Sequence, residues 1–281
     1  MPSAPVPVPV VVEPAPAKLN LALHVTGRRD DGYHLLDSLV VFARAGDEIQ
    51  LRPGPLSLHL DGPFAPALTD EDNLCLRAAR LAGGQADITL IKNLPVASGI
   101  GGGSADAAAV LRGLARMGHA LPADPQRLGA DVPVCLASRP ARMRGIGERV
   151  EPLADFPPLH LVLVNPGIAI PTPQVFAALA WRDNAPLPPL PDFTRADALS
   201  DWLAATRNDL QAPALTIAPV IADVLAALTT HGASLARMSG SGATCFGIFA
   251  DARAADIAAA ALSRHGWWAV ATELAPPPAP L

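Results

Sequence analysis

Four glycines fall within the five positions from Gly99 to Gly103, and an alanine- and leucine-rich run, Ala105 to Met117, begins directly after Ser104. Glycine this dense costs conformational entropy on folding, so the segment must do something that only a backbone without Cβ atoms can do. A bare backbone lets N–H groups close on an anion. A helix starting at the end of the run adds its own unpaired N–H groups and the positive end of its dipole. The segment Pro95-Val96-Ala97-Ser98-Gly99-Ile100-Gly101-Gly102-Gly103-Ser104 therefore reads as a polyphosphate cradle that needs no basic side chain. It is not a P-loop, because no lysine follows the glycines. It is not the dinucleotide fingerprint either, because counting from Gly99 puts Ser104 at the place of the third glycine. A tight strand-to-helix turn is the alternative. On the cradle reading, a Cβ at Gly102 would intrude on the bound phosphates.

The rest of the chain mixes strands and helices without strict alternation, which predicts an α+β fold. Leu19, Leu21, Leu23 and Val25 alternate with Lys18, Asn20, Ala22 and His24, the period-2 pattern of a half-buried strand. Gly27 to Gly32 is turn chemistry, with Asp31-Gly32 a favoured hairpin pair. Strands are expected at 35–42, 48–52, 57–60, 88–91, 159–164, 235–238, 244–249 and 267–273, and a hairpin at 142–150. Helices are expected at 72–81, 105–117, 172–181, 197–205, 218–229 and 252–265, with a short one opened by Asp131. The proline-bearing stretch 121–127 reads as a connection. Phe156-Pro157-Pro158 marks the boundary between a domain at 16–156 and a second at 157–281, and residues 1–15, rich in Pro and Val, read as a flexible tail.

Composition narrows the partners. The formal net charge is −5 and no Lys/Arg block occurs, so no nucleic-acid partner is expected. No apolar run approaches the roughly 20 residues of a membrane span, so no membrane partner is expected. Cys75, Cys135 and Cys245 lie far apart with no C-x-x-C, which suggests a reduced, cytoplasmic compartment. Lys18 and Lys92 are the only lysines, which makes each a residue to explain. Lys18 can be a solvated strand residue or a functional cation. Asp131, in Leu128-Gly129-Ala130-Asp131-Val132-Pro133, can be a helix N-cap, as can Thr172 before Pro173. Tyr33, the only tyrosine, adjoins His34 just after the first turn, where an aromatic ring could stack on a base. Met238-Ser239-Gly240-Ser241-Gly242-Ala243 is a second small-residue turn between strands.

Together these segments resemble the GHMP kinase superfamily, and within it the branch whose acceptor carries cytidine diphosphate. The resemblance runs in order from about Pro16 to Phe249. It rests on P-A-K-L-N-L at 16–21, D-G-Y-H at 31–34, the glycine loop at 95–108, L-G-A-D-V-P at 128–133, G-I-G-E at 145–148, I-P-T-P at 170–173 with Phe176, N-D-L at 208–210 and M-S-G-S-G-A-T-C-F at 238–246. It implies an ATP-dependent kinase with a ribosomal-S5-like N-terminal domain, a ferredoxin-like C-terminal domain and an active site between them. By this resemblance Asp131 would be the general base for the acceptor hydroxyl. Lys18 would stabilise the alkoxide or the transferring phosphoryl charge. Pro95 to Ser104 would hold the ATP phosphates, with Ser104 near Mg²⁺. Asn20, Tyr33, His34, Thr172 and Phe176 would hold the cytidine diphosphate end of the small-molecule substrate. Gly240, Ser241 and Gly242 would close on the phosphates from the second domain. A monomer or weak dimer is expected.

Overall fold

The computed structural model describes residues 10–68, 73–193 and 198–281. Two sheets organise them. The first has six strands, β1 (Val11–Arg28), β2 (His34–Arg52), β3 (Ser57–Asp61), β4 (Asp87–Ile91), β5 (Ala141–Gly145) and β6 (Arg149–Pro152), in the order β3-β4-β2-β5-β6, with β1 paired to β2. The second has four, β7 (His160–Asn165), β8 (Leu235–Met238), β9 (Cys245–Phe249) and β10 (Trp268–Glu273), in the order β10-β7-β9-β8. The expected strand at 48–52 is thus not separate; it is the far end of β2, which continues to pair with β1 and also meets β4.

The flexible tail at 1–15 is corrected for its last part. Val11–Ala15 belong to β1 and pair with Leu51 to Asp47. Proline is compatible with this because β1 pairs in the ladder only with β2, so the missing N–H groups of Pro14 and Pro16 need not serve a second strand. Glu13 is buried and takes Arg112 and Arg116 as partners, which fastens the start of β1 to the helix behind it. Residues 1–9 lie outside the described residues.

Helices α1 (Leu74–Leu81), α2 (Gly102–Arg116) and α3 (Val132–Ala137) cover the first sheet. Asn73 caps α1 by accepting from the Cys75 amide at 2.9 Å. Every residue of α2 from Ala105 to Leu114 is buried, and the two charged ones are paired there, Asp106 with Lys92 and Arg112 with Glu13. Its small side chains allow close approach to the sheet: a Cβ on Gly113 would lie 2.3 Å from Leu51 Cδ1.

The second sheet is packed by α4 (Thr172–Ala177), α6 (Gln211–Ile217), α7 (Val220–Thr230) and α8 (Ala252–Leu262), with α5 (Ala198–Ala204) against the seam between the sheets. The expected helix 172–181 stops at Ala177, and α6 was not legible because Pro213 interrupts its pattern. A third core joins the sheets through Leu19, Leu21, Val41, Leu161, Leu163 and Phe246. This seam corrects the expected half-buried first strand. Both faces of β1 are covered, so Lys18, Asn20 and His24 are buried too. A bulge between Asn20 and Ala22 breaks the simple alternation. Among the described residues, no single helix is long and apolar enough to cross a membrane.

Candidate active site

Lys18 and Asp131 meet in the cleft between the sheets. The Lys18 Nζ lies 2.7 Å from Asp131 Oδ2, with the lysine side chain 6% exposed and the aspartate 33%. Neither bland reading of these residues survives: Lys18 is not solvated, and Asp131, though it precedes α3, makes no side-chain cap bond to it. Its carboxylate turns instead to β1. The chain reaches that position through Gly129, at φ +158, and the tip of the β5–β6 hairpin, where a Cβ on Gly147 would crowd Ala130 O at 3.2 Å.

The glycine run lies over this pair. The Lys18 amide donates to Ile100 O at 2.9 Å, so the loop is held to β1 by its backbone. Gly101 adopts the left-handed conformation, φ +65, as N-cap of α2, and a Cβ there would meet Lys18 Cβ at 3.3 Å and Asp131 Oδ2 at 3.8 Å. The amides of the first α2 turn have no helical acceptors, which is the arrangement that favours an anion. Gly99 serves another need. Its Cβ would lie 2.6 Å from both Gly242 N and Ser239 O, so the loop and the 238–243 turn approach backbone to backbone. Ser239 Oγ donates to Gly99 O at 3.1 Å, and the Thr244 amide to Ser98 O at 3.1 Å.

Gly102 corrects a sequence expectation. Its Cβ would not enter the cradle but would point beneath it, 3.1 Å from Lys92 Nζ. Lys92 is buried between two carboxylates, Asp47 Oδ2 at 2.5 Å and Asp106 Oδ2 at 2.7 Å. Asp47 Oδ1 also accepts the amides of Asn93 at 2.6 Å and Leu94 at 2.8 Å, while Asp106 Oδ1 has no partner among the described residues. Burial is the main force on Asp106, reinforced by Asp47 and opposed by Lys92, and it pushes that carboxyl up to about 8. Burial also works to lower the Lys92 pKa, but Asp106 and Asp47 outweigh it and hold the ammonium above its usual range. Within the trio, Asp106 is the carboxyl that burial disposes to keep its proton. The scarcity of lysine flags Lys92; no local pattern ties it to Asp47 or Asp106.

Two cavities share a wall. One, of about 660 Å³, is lined by Lys18, Asn20, Asn73, Leu74, Lys92, Asp106, Gly240, Ser241 and the loop residues Pro95, Val96, Ala97, Ser98, Gly99, Gly101, Gly102 and Gly103. The other, of about 820 Å³, is lined by Arg28, Tyr33, His34, Ile146, Ala177 and Arg182 among others. Leu36, Ser104, Asp131, Thr172 and Phe176 line both. Ile100 and Gly242 line neither: Ile100 is buried in the core and offers only its carbonyl, and Gly242 faces Gly99 and Met238. Asn20 stands on the Lys18 side and does not reach the second cavity; its Nδ2 donates to Ser38 Oγ at 2.8 Å.

His34 stacks on Phe176 with ring centroids 4.7 Å apart, while Tyr33 is 59% exposed at the rim. Burial, then the charges of Arg28 and Arg182, lower the His34 pKa and favour the neutral ring. Thr172 is not the N-cap of α4; Pro171 holds that place, and Thr172 Oγ1 meets Ser241 Oγ at 2.7 Å across the cleft. The N-D-L segment holds the 238–243 turn from behind. Asn208 Nδ2 donates to Met238 O and Gly240 O, both at 2.8 Å, and the Asp209 amide donates to Leu23 O at 2.9 Å.

A model described as GHMP kinases N terminal domain matches residues 73–138, and one described as GHMP kinases C terminal matches 190–266. A 4-diphosphocytidyl-2-C-methyl-D-erythritol kinase of Paracoccus denitrificans (strain Pd 1222) is 65% identical over 268 residues, covering 94% of this chain and 97% of its own. The chain belongs to the 4-diphosphocytidyl-2-C-methyl-D-erythritol kinase family, among the GHMP kinases. Another member, from Cereibacter sphaeroides (strain ATCC 17025 / ATH 2.4.3), is 60% identical over 90% of this chain and 95% of its own. A crystal structure of a 4-(cytidine 5'-diphospho)-2C-methyl-D-erythritol kinase superposes with TM-score 0.78 at 36% identity, covering 94% of this chain and 99% of that one. The Methanococcus jannaschii mevalonate kinase shares the fold, with TM-score 0.61 at 10% identity over 97% of this chain and 100% of that one.

Proposed function

We infer that this protein is an ATP-dependent kinase that phosphorylates the 2-hydroxyl of 4-diphosphocytidyl-2-C-methyl-D-erythritol, giving the 2-phosphate and ADP, in the non-mevalonate route to isoprenoid precursors. One observation carries the mechanism: Asp131 and Ser104 stand on the wall common to both cavities. A phosphate donor held in the glycine-lined cavity and a hydroxyl held in the His34–Phe176 cavity would meet there.

Phosphoryl transfer asks mainly for positioning and charge stabilisation. Asp131 accepts the hydroxyl proton, and its contact with Lys18 fixes the carboxylate's direction. Lys18 Nζ, beside the same carboxylate, stabilises negative charge on the entering oxygen and the transferring group. Pro95 to Ser104 hold the ATP phosphates through backbone N–H groups and the α2 terminus. Gly240 and Ser241 reach the same cavity from the second sheet. Thr172, Phe176, His34 and Tyr33 hold the cytidine diphosphate end, and Asn20 supports the strand beside Lys18.

Mg²⁺ fits this donor set in the manner usual for it, through few protein oxygens, phosphates and water. No group of three His, Cys, Asp or Glu side chains poised for a metal exists among the described residues. Ser104 would hold the ion together with the phosphates, and bound there it would neutralise phosphate charge. The same reading assigns the second sheet to the ferredoxin-like class, supported by its β10-β7-β9-β8 order, with helices α4 to α7 between β7 and β8 and α8 between β9 and β10. The N-terminal sheet is assigned to the ribosomal-S5-like class.

The test is coupled ADP release with ATP and Mg²⁺, offering the cytidylated acceptor, homoserine, mevalonate and galactose. Turnover is expected with the cytidylated acceptor alone. Asp131→Asn should lower kcat by roughly 10²–10⁴ while nucleotide binding persists. Activity on another alcohol would discard the substrate, and an unchanged kcat would discard the base.

A further inference from the structure

We propose that the proline-rich segment Pro186 to Pro189 is a strap that sets the acceptor wall of the cleft, and that Asp37 and Arg142, which grip it, are positioning residues for phosphoryl transfer. The inference rests on the kinase reading above and adds two residues outside every segment that carried the family resemblance. In Pro186-Leu187-Pro188-Pro189 only Leu187 has a backbone N–H, since proline has none. That donor goes to Asp37 Oδ2 at 3.1 Å, and Leu187 O accepts from Arg142 Nη2 at 2.8 Å. The two side chains also grip each other, Arg142 Nε on Asp37 Oδ1 at 2.8 Å and Nη2 on Oδ2 at 2.6 Å. Asp37 is buried, and the Leu187 side chain enters the core between the sheets. One residue thus has its amide, carbonyl and side chain all held. The prolines around it have fixed φ, so docking costs the segment little conformational freedom. Further grips lie on either side. The Asn184 amide donates to Val25 O at 3.1 Å, His24 Nδ1 lies 2.9 Å from Ala185 O, and Trp202 Nε1 donates to Pro189 O at 2.9 Å.

Asp37 is on β2 and Arg142 on β5, both in the first sheet, whereas the strap leads out of α4, which packs on the second. At six residues α4 is too short to hold its shape alone, so what fixes its ends fixes the helix. Ile170, ahead of it, is anchored in the core of the second sheet. Its exit is tied to the first sheet by the strap. Thr172 and Phe176 on α4 line both cavities, and so does Leu36, the neighbour of Asp37 on β2. The strap therefore sets how far the α4 wall stands from the β2 wall, and with it where an acceptor hydroxyl lies relative to Asp131. The glycine loop is held by other bonds, from the Lys18 and Thr244 amides and from Ser239 Oγ. Loosening the strap should displace the acceptor and spare ATP.

The alternative is an ion pair that merely stabilises β2 against β5, and two variants separate the readings. Arg142→Lys keeps a cation beside Asp37 but loses the planar fork that serves both carboxylate oxygens and Leu187 O. The double variant Pro186→Gly, Pro189→Gly changes two exposed positions, loosens the strap and leaves the Asp37–Arg142 pair in place. Both are assayed with ATP and the cytidylated acceptor. In Arg142→Lys kcat/KM for the acceptor should fall about 10-fold, the size of a lost charge-assisted hydrogen bond, while KM for ATP stays at the wild-type value. The double variant should show the same split with a smaller loss. Hydrogen exchange at the Leu187 amide should quicken in Arg142→Lys. Wild-type exchange there would show that the pair does not grip the strap, and faster exchange with wild-type kinetics would show that the strap does not set the wall; either overturns the proposal. Equal losses toward ATP and acceptor would overturn it in favour of general loosening. Wild-type kinetics in the double variant would also overturn it, and that variant decides alone if Arg142→Lys does not fold. Wild type inactive on the cytidylated acceptor would overturn the kinase reading, and this inference with it; wild-type turnover without the split in the variants would overturn this inference alone.

Discussion

Asp106→Asn is the perturbation whose outcome the structure fixes most closely. The native carboxyl is buried beneath the glycine loop, 2.7 Å from Lys92, and burial pushes it up to about 8 against an ordinary value of 3.8. The folded protein therefore holds a proton that the unfolded chain releases. The stability this contributes is complete below the unfolded value and is lost as pH rises through about 8. Between pH 6 and 8 the unfolded carboxyl is ionised throughout, while the folded one passes from protonated to half-ionised. At about 1.4 kcal/mol per pH unit, the loss over that interval is about 2 kcal/mol. Asparagine keeps the size and an oxygen for the Lys92 ammonium but has no proton to lose. Denaturant unfolding of wild type and Asp106→Asn at pH 6 and pH 8 should show this loss in wild type only, as the difference between the two proteins' pH dependences. Parallel pH dependences would refute the reasoning. They would mean that Asp106 is already ionised at pH 6 and that Lys92 holds both carboxylates as anions.

Two further outcomes follow from the seam between the sheets. Gly99→Ala places a Cβ 2.6 Å from Gly242 N and Ser239 O at φ +76, so it should raise KM for ATP and destabilise by at least about 1–2 kcal/mol from the left-handed backbone alone. Wild-type KM and thermal midpoint together would show that the loop and turn need not touch. Arg237→Met removes a buried guanidinium that donates to Leu21 O at 2.7 Å, Leu203 O at 2.9 Å and Thr206 O at 2.8 Å. Leaving these carbonyls unpaired should cost about 3 kcal/mol or more in chemical denaturation, and a loss below about 1 kcal/mol would mean that water replaces the donor.

Much of the site was legible because its chemistry is written in short segments. Glycine density with a helix behind it marked the loop; the scarcity of lysine marked Lys18 and Lys92; a lone tyrosine beside a histidine marked the far pocket. Strand periodicity and turn chemistry located most elements of both sheets to within a few residues. These signals are local, since they report backbone freedom, side-chain direction and the hydrogen-bonding needs of neighbours in the chain.

Local signals also misled where two readings share one pattern. Asp131 and Thr172 both have the sequence of a helix cap, yet neither side chain caps; each is drawn across the cleft, to Lys18 and to Ser241. The alternation of β1 correctly gave a strand but wrongly gave it a solvated face, because the second sheet and the glycine loop cover Lys18 and Asn20. Gly102 belongs to the glycine loop by sequence, but by position it packs against Lys92 and Asp47. Sequence alone determined which segments become strands, helices and tight turns, and which residue types were available for phosphate and base. Tertiary structure decided that Asp131 joins two cavities and that Lys92 is shared by Asp47 and Asp106. Those pairings are set by how the sheets pack and what burial leaves unsatisfied, and a stretch of chain carries no record of the distant surface that will cover it.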